Sequence, residues 1–413
     1  MVPRIALMFA LGGELAQPTM DQELYLRLAG TLLSGHGLSF GPEIGRLKAV
    51  NGGEGEVASS WASNPDYVFG LARTGTQTAT VEPGYPAALA LFFMLLGRTS
   101  GAVFLLNTLA QTAGAWAMFL LGERAGGRRT GLLAALGFAF YPYFIFYTAT
   151  AMTEALHVAM IPVLALLTLR TLEDRRGGFA AGAAAGLLFL IRSTVLVLIP
   201  VQLFLFLRRR MLRQSLMLVA GFAVLTAPWV IRNAVEMGMP ILLPTKGSLN
   251  LWMRNNPEAL RMEGIEVPQA ILSGVRHREL LEYPDESVYV GELARSAELS
   301  RRARAFMIAN PGLVAWLSGQ RLLSFLSPFP ESGAGGLPTE LVGLLVYLPI
   351  SLLALAAALR RTAGTGTTVA CAFFVAYLLV HTLAHGGLRY RLPVDTMLIY
   401  LAATAAGRGF RPA

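Results

Sequence analysis

Long apolar segments alternate with short polar segments along most of this 413-residue chain. A transmembrane helix needs roughly 20 residues, and several segments approach or reach that length. They are residues 101–122, 131–148, 153–170, 179–191, 194–207, 212–231, 337–359, 367–385 and 392–406. Residues 2–13 are apolar but too short for a span. Either residues 14–20 complete that helix or, as we favour, the true start lies upstream. The pattern predicts an all-α polytopic membrane protein with about ten transmembrane helices.

Clusters of arginine occupy short segments between the apolar stretches. Three of these segments are residues 123–130, 171–178 and 208–213. Because loops rich in Lys and Arg stay in the cytoplasm, we expect all three on the inner side of the membrane. The two apolar stretches between them must then each form a helical hairpin. In the second hairpin, the Ala/Gly-rich residues 177–188 predict close packing between helices.

Counting crossings from these loops places four polar segments together on the outer side of the membrane. They are the loops 14–84 and 234–336 and the turns 148–154 and 386–391. The chain then divides into an N-terminal membrane module (1–233), a second outer loop (234–336) and C-terminal transmembrane helices (337–413). Because four outer segments converge, a functional site should be sought where they meet.

Two further stretches in the outer loops predict helices that lie along the membrane interface. Residues 85–97 are apolar but short, and a crossing there would invert every later assignment. Residues 299–327 mix arginines with large apolar side chains at helical spacing. That spacing is interrupted at Asn310–Pro311. We therefore expect an interfacial helix in each loop, the second one broken at Asn310.

Composition supports the membrane interpretation. Hydrophobic residues make up 54% of the chain and charged residues 14%, whereas soluble domains contain about 25% charged residues. The net charge of +9 follows the arginine clusters and therefore reports orientation. A basic membrane-binding surface is the second interpretation, and nucleic acid is a distant third. The single cysteine, Cys371, allows neither an intrachain disulfide nor a cysteine-based metal site.

Ionisable residues near the outer ends of the spans are the candidate functional residues, because charge is costly inside a membrane. They are Asp21, Glu23, Glu82, Glu154, Arg192, Arg232, Lys246, Arg254, Arg389 and Arg391. The acids also have structural interpretations. Asp21 would cap the helix that it opens, and Glu154 would interact with the dipole of its span. Glu82 precedes a proline and would serve as an ordinary loop residue.

The arginines allow two interpretations as well. Arg192 lies at the tip of an apolar hairpin, where it would either reach the lipid headgroups or bind a phosphate. Arg389 and Arg391 flank Tyr390 just before Pro393. Two arginines beside a tyrosine suit a phosphate clamp, and the alternative is anchoring at the membrane interface.

Metal and nucleotide chemistry receive little support from the motifs. The sequence lacks HExxH, and a zinc site would need a convergent set of ligands beyond the HxxxH pair His381 and His385, so the motifs indicate no zinc site. Asp21, Glu82 and Glu154 could share a divalent metal ion if they approach one another. The sequence also lacks GxxxxGK[ST], which argues against nucleotide hydrolysis. GxSxG occurs at residues 37–41, but it follows a helical pattern rather than a strand, so it gives little support to a serine hydrolase.

A series of motifs spans nearly the whole chain. They are MDQELYLRLAGTLLSGHGLS, EPGYPAALALF, RRTGLLAALGFAFYPYFIFYTATAMTEAL, LIRSTVLVLIP, APWVIRN, SLNLWMRNNP, ARAFMIANPGLVAWLSGQRLLSF and LRYRLPVDTMLIYLAA. In order and spacing they resemble the GT-C superfamily of polyprenyl-phosphate-sugar-dependent glycosyltransferases. The resemblance is to the bacterial branch related to protein O-mannosyltransferases and lipid A aminoarabinose transferases. Two departures are the short first span and the long segment 38–80.

The resemblance implies an inverting glycosyltransferase of the bacterial inner membrane, with its site on the outer face. Its donor would be a polyprenyl-phosphate-linked sugar, hexosyl or pentosyl, and its acceptor hydroxyl would belong to a protein, lipid or glycan. Asp21 would be the catalytic base and Glu154 the second catalytic acid residue. The residues implied to bind the donor and its lipid phosphate are Glu82, Tyr85, Arg192, Arg254, Arg389, Tyr390 and Arg391. No cofactor is implied beyond the divalent metal ion that the three acids could hold.

Two other functions stay open at this point. A lipid or sugar flippase would show internal repeats and helices broken in mid-membrane, and we find neither pattern in the sequence. A polysaccharide polymerase or ligase would also have large outer loops, but it would use a diphosphate-linked glycan. A purely structural role fits poorly with so many ionisable residues on one side.

Overall fold

The computed structural model describes most of the chain. The described residues are 20–39, 76–257, 260, 266–284, 288–289, 291–329, 340–341, 343–360, 364–384 and 386–407. The predicted short first span lies outside these residues, as does most of the long segment 38–80. Within the described part, the β pairing is limited to an isolated bridge between Ser39 and Gln77, so the predicted all-α class is confirmed.

Fifteen α-helices build the described part of the chain. They are α1 (Met20–Leu33), α2 (Gly84–Leu96), α3 (Ser100–Ala139), α4 (Pro142–Thr148), α5 (Glu154–Asp174), α6 (Gly178–Ile191), α7 (Leu198–Arg208), α8 (Leu212–Met237), α9 (Lys246–Arg254), α10 (Gln269–Leu272), α11 (Glu292–Ala309), α12 (Pro311–Leu326), α13 (Leu348–Leu359), α14 (Thr365–Leu383) and α15 (Leu388–Gly407). Short 3₁₀ segments cover Ser193–Val197 and Arg278–Leu281, and a π-helical turn covers Gly343–Tyr347.

Four of the described helices are long and apolar enough to cross a membrane. They are α3, α5, α8 and α14. Shorter apolar helices cover Gly84–Leu96, Gly178–Ile191, Ser193–Arg208 and Gly343–Leu359. Each apolar segment predicted between residues 101 and 406 contains helix in its described residues. The polytopic helical architecture follows from this agreement.

Helix α3 is a helical hairpin rather than one long rod. Its backbone leaves the helical conformation at Gly126 and Gly127, and Gly127 has a φ of +79°. The chain reverses there, and the two arms lie side by side. A Cβ atom on Gly122 would lie only 2.7 Å from the carbonyl oxygen of Thr130. The two arms correspond to the separate spans predicted on either side of the basic segment 123–130.

Helices α6 and α8 pack with their backbones in contact. A Cβ atom on Gly182 would lie 2.0 Å from the carbonyl oxygen of Leu218, and one on Gly221 would lie 2.2 Å from that of Phe179. Glycines spaced by four residues in α6, at positions 178, 182 and 186, allow this approach between membrane helices. The close packing predicted for residues 177–188 is confirmed.

The last helix, α15, lies at the centre of the largest apolar core. Residues 391–405 are all buried, and the helix packs against α3, α5, α13 and α14. It begins at Leu388, earlier than the predicted span 392–406. Its first turn, Leu388–Tyr390, is only partly buried and extends beyond the core. That turn carries charged residues into the region where the outer segments meet.

The second outer loop contains the predicted broken helix. Helix α11 ends at Ala309 and α12 begins at Pro311, a residue that favours the first helical position. The intervening Asn310 accepts a hydrogen bond from the backbone N–H of Arg276 (2.7 Å) and donates one to its carbonyl (3.0 Å). The predicted break at Asn310 is confirmed, and its side chain fixes the corner.

Candidate active site

A cavity of about 450 Å³ lies where several distant parts of the chain meet. Ligand sites commonly occupy roughly 300–1,000 Å³, so the space suits a small molecule or the head of a lipid. Its lining includes Asp21, Glu82, Thr153, Arg192, Lys246, Arg254, Arg389 and Tyr390. These residues come from all four segments that were predicted to converge, together with the tip of the second hairpin. The predicted convergence is therefore confirmed.

Asp21 lies in the first turn of α1 and holds two cations. Its Oδ1 is 2.7 Å from Nζ of Lys246, and its Oδ2 is 2.9 Å from Nη1 of Arg389. The side chain of Asp21 is 25% exposed. The carboxylate thus contacts two other chain segments and faces the cavity, which a helix cap alone would not require.

Electrostatics keep the Asp21 carboxyl charged. Burial by itself would raise its pKa, but the charges and hydrogen bonds of Lys246 and Arg389 outweigh burial and hold the pKa well below the usual range. In this arrangement Asp21 is a carboxylate at any physiological pH. A carboxylate held so strongly by two cations is also a weak proton acceptor until one of those contacts changes.

Glu154 lies beneath the cavity at the start of α5. Its side chain is fully buried, and Oε1 accepts a hydrogen bond from Arg192 Nη1 at 2.6 Å. The same oxygen accepts a second one from Nε of Arg389. Arg389 therefore bridges Asp21 and Glu154. Burial of a carboxylate is tolerated here because two guanidinium groups compensate its charge.

These five side chains form one continuous ionic network, which runs Lys246–Asp21–Arg389–Glu154–Arg192. It contains three cations and two carboxylates. The lining residues Glu82 and Arg254 add one charge of each sign. The described charged groups of the cavity therefore leave one positive charge in excess, which favours an anionic ligand.

Glu82 and Tyr85 shape the wall of the cavity. Glu82 lines it and accepts a hydrogen bond from the backbone N–H of Ser193 at 2.6 Å, so it fixes the tip of the hairpin that carries Arg192. Tyr85 is fully buried behind the lining residue Tyr25, with the two rings edge to face at 5.4 Å. Tyr85 thus supports the wall without being one of the described lining residues.

The predicted two-arginine clamp at the start of α15 is not formed. Because residues 388–407 are helical, Arg389 and Arg391 point in nearly opposite directions, about 200° apart. Arg389 enters the cavity, while Arg391 is fully buried and pairs with Asp395 at 3.0 Å. Tyr390 does line the cavity, and its ring centroid lies 5.5 Å from the guanidinium carbon of Arg192.

The three acids considered for a divalent metal ion are not arranged as its ligands. Asp21 and Glu154 are occupied by cationic side chains, and Glu82 is bonded to a backbone N–H. Among the described residues, no group of three His, Cys, Asp or Glu side chains could hold a metal ion. The contacts of these three acids therefore do not support a divalent ion shared among them.

Lys246 is a residue of the site whose contact the sequence does not predict. It is the first residue of α9 in the second outer loop, and it reaches Asp21 across 225 positions of sequence. The sequence does set Lys246 apart, because Lys48 and Lys246 are the two lysines among 34 basic residues.

Glu292 joins the two outer loops behind Lys246. Its buried carboxylate accepts hydrogen bonds from the backbone N–H of Ala79 (3.0 Å) and from the hydroxyl groups of Thr78 (2.7 Å) and Thr245 (2.6 Å). Burial raises its pKa, although these hydrogen bonds act in the opposite direction. Glu292 thereby fixes the segment that presents Lys246 to the cavity.

Comparisons with known proteins agree with this fold. Residues 80–231 match the family model described as dolichyl-phosphate-mannose-protein mannosyltransferase. The oligosaccharyltransferase of Archaeoglobus fulgidus in its apo form is 12% identical and aligns over 97% of this chain and 50% of its own, with a TM-score of 0.53. ArnT from Cupriavidus metallidurans bound to undecaprenyl phosphate is 14% identical over 98% of this chain and 76% of its own, with a TM-score of 0.43.

A comparison with curated protein sequences finds no significant match. The family match and the fold shared with the oligosaccharyltransferase confirm the resemblance to the GT-C glycosyltransferases that the motifs indicate. They also agree with a polytopic membrane protein. The chain spans about half the length of the oligosaccharyltransferase.

Proposed function

We propose that this protein is an inverting glycosyltransferase of the bacterial inner membrane. It moves a sugar from a polyprenyl-phosphate carrier to an acceptor hydroxyl at the outer face. The observation that carries this proposal is the carboxylate of Asp21, which faces the cavity between Lys246 and Arg389. The matching family is described by a lipid-phosphate sugar donor, dolichyl phosphate mannose, which supports a donor of this class.

The chemistry of the transfer needs a base and a cationic site. A carboxylate must take the proton of the acceptor hydroxyl as that oxygen attacks the anomeric carbon. Cations must stabilise the negative charge that develops on the departing lipid phosphate. Asp21 supplies the first group, and Lys246, Arg389, Arg192 and Arg254 surround the space in which the second is needed.

The two carboxylates differ in access, and this difference separates their roles. The side chain of Asp21 is 25% exposed, whereas that of Glu154 is completely buried. A base must touch the acceptor hydroxyl, so Asp21 is the catalytic base in our proposal. Glu154 holds Arg192 and Arg389 in position and acts through them.

Apolar residues on the cavity wall suit the lipid part of the donor. They include Val81, Leu249, Leu251, Met253 and Val380. A polyprenyl chain needs an apolar surface that continues from the site of its phosphate into the membrane. Charged and apolar parts of one cavity therefore match the two ends of a lipid-linked sugar.

The direct test is transfer by the purified full-length protein in lipid nanodiscs. Radiolabelled hexosyl and pentosyl polyprenyl phosphates are supplied together with extracted envelope acceptors. We expect transfer by the wild type and a loss of at least about 100-fold for Asp21→Asn. The matched control is Glu279→Gln, which changes an exposed acid in the second outer loop.

Three outcomes would contradict the proposal. Near wild-type transfer by Asp21→Asn would remove Asp21 from the role of base. Transfer from a diphosphate-linked glycan alone would indicate a polymerase or ligase. Movement of labelled donor across the membrane without covalent transfer would indicate a flippase.

A further inference from the structure

Both oxygens of the Asp21 carboxylate are already engaged by cations. Lys246 binds one oxygen and Arg389 the other. In the proposed reaction a proton must reach this carboxylate, and the departing phosphate must find positive charge. Lys246 and Arg389 lie where both events take place. The Asp21 carboxylate and the departing phosphate must therefore compete for these two cations. The inference that follows rests on the proposed function.

We propose that Lys246 and Arg389 are shared cations, which hold Asp21 in the empty enzyme and pass to the lipid phosphate as Asp21 accepts the proton. Lys246 is thereby a catalytic residue of the transfer. Asp21, conversely, competes with the donor for positive charge. The catalytic base is an internal anion that occupies part of the phosphate site.

The charges of the reaction balance in this scheme. The donor is a phosphodiester with one negative charge, and Asp21 carries another. The acceptor oxygen forms a bond to the anomeric carbon while the bond from that carbon to the phosphate oxygen breaks, and its electron pair stays on the phosphate. The acceptor proton moves to Asp21. Asp21 becomes neutral as the phosphate becomes a doubly charged monoester, so the total charge is unchanged.

The geometry allows the cations to change partners. Lys246 and Arg389 approach Asp21 from different elements, α9 and α15, and their side chains are 22% and 31% exposed. A ligand in the cavity can therefore reach both. An ammonium group has three donors, so Lys246 can contact a phosphate before it releases Asp21. The Nε of Arg389 stays bound to Glu154 meanwhile, so only its Nη1 changes partner from Asp21 to the phosphate.

This sharing makes an unusual prediction for Asp21→Asn. The substitution removes the competing anion and keeps the shape of the side chain, so both cations become available to a phosphate. Transfer is lost, but the lipid phosphate binds more tightly. A merely structural role for the ion pairs would instead weaken binding when the network is broken.

The test measures binding of undecaprenyl monophosphate to the purified full-length protein in nanodiscs. We compare wild type, Asp21→Asn, Lys246→Met and the double variant. We expect Asp21→Asn to bind about tenfold more tightly than wild type and Lys246→Met to bind less tightly. In the double variant the gain should be largely lost. Equal or weaker binding by folded Asp21→Asn would overturn the inference.

A second measurement decides the matter if Asp21→Asn does not fold. The charged and titratable groups around Asp21 are Lys246, Arg389, Tyr25, Tyr390, Glu82, Glu154 and Arg192. Lys246→Met should move the acidic limb of kcat/KM to higher pH, and Lys246→Arg should restore most of the wild-type profile. An unchanged acidic limb in Lys246→Met would overturn the inference.

The two proposals fail in different ways. If the wild type neither binds undecaprenyl monophosphate nor transfers sugar from any lipid phosphate, the proposed function is wrong. If transfer depends on Asp21 but binding by Asp21→Asn does not improve, the function stands and the sharing of cations is wrong.

Discussion

Two arginines near the start of α15 form ion pairs in different surroundings, and the comparison shows how an ion pair at a ligand cavity differs from a structural one. Arg389 pairs with Asp21 and Glu154 at the cavity wall, while Arg391 pairs with Asp395 inside the core. Both are arginine–carboxylate contacts. They differ in access to ligand and in the number of cations available to each carboxylate.

The inner pair is almost completely buried. Asp395 also accepts a hydrogen bond from the Tyr141 hydroxyl at 2.8 Å. The Arg391 guanidinium donates to the carbonyl of Phe325 at 3.0 Å and lies 3.5 Å from the ring centroid of Tyr347. This cluster ties α15 to the helices around it, whereas the outer pair carries the chemistry in our proposal.

The largest expected effect is on stability, from Arg391→Met. Removing the cation leaves Asp395 buried without its charge partner, which should cost roughly 3–5 kcal/mol of unfolding free energy. Thermal unfolding in detergent measures the loss. The double variant Arg391→Met/Asp395→Leu should recover much of it. A stable Arg391→Met variant that fails in transfer would instead place Arg391 in the active site.

Arg389→Met should reverse this pattern. We expect transfer to fall about 100- to 1,000-fold, because a cation that stabilises the departing phosphate is lost. The melting temperature should fall less than in Arg391→Met, because Arg192 still compensates the charge of Glu154 and Lys246 that of Asp21. The exposed Arg304 provides the control substitution Arg304→Met. A large fall in the melting temperature without loss of transfer would show that Arg389 and Arg391 do not differ in role.

Glu292→Ala should have an intermediate effect, because it frees the segment that presents Lys246. Loss of the acceptor for Thr78, Ala79 and Thr245 should cost about 1–3 kcal/mol of stability. The KM for the donor should rise more than kcat falls. Glu292→Gln keeps an acceptor oxygen and should restore most of the wild-type behaviour. Failure of the glutamine variant to do so would mean that the negative charge of Glu292 matters.

The smallest effect is expected from pH. The pKa of Asp21 lies below the ordinary value of 3.8, since Lys246 and Arg389 outweigh burial. Its contribution to stability is therefore present above that value and is lost as pH falls through the lower folded pKa. In the free wild-type enzyme, kcat/KM should show no acidic limb from Asp21 above about pH 5. A limb near neutral pH would show that the cations do not control Asp21.

The architecture could be predicted largely from hydropathy and charge. Apolar segments and arginine clusters were sufficient to place four outer segments together, and their residues do line one cavity. The position of Asp21 followed from the same reasoning together with the motif that contains it. The spans and the side of each loop depend on local hydropathy and on the order of the segments. Both can be read from a single sequence.

The rest depended on geometry that a linear pattern does not contain. Arg391 was grouped with Arg389 because the polar sequence LRYR looked like a turn, whereas it is the first turn of α15. Lys246 and Glu292 act through contacts between the two outer loops. Neither contact leaves a periodic pattern in the sequence, because it joins residues that are far apart along the chain. Each contact is therefore visible only in the folded structure.

The unequal burial of the cavity walls has a consequence for how this protein can evolve. One wall is α15, whose residues 391–405 are locked in the core and leave little room for substitution. The segment 244–254 supplies more of the lining than any other described segment, consists mainly of helix α9 and is mostly only partly buried. We expect new substrate preferences to arise in that segment, by natural variation or in the laboratory, while the ionic network stays fixed. A library restricted to its residues other than Lys246 and Arg254 is therefore the economical route to altered specificity.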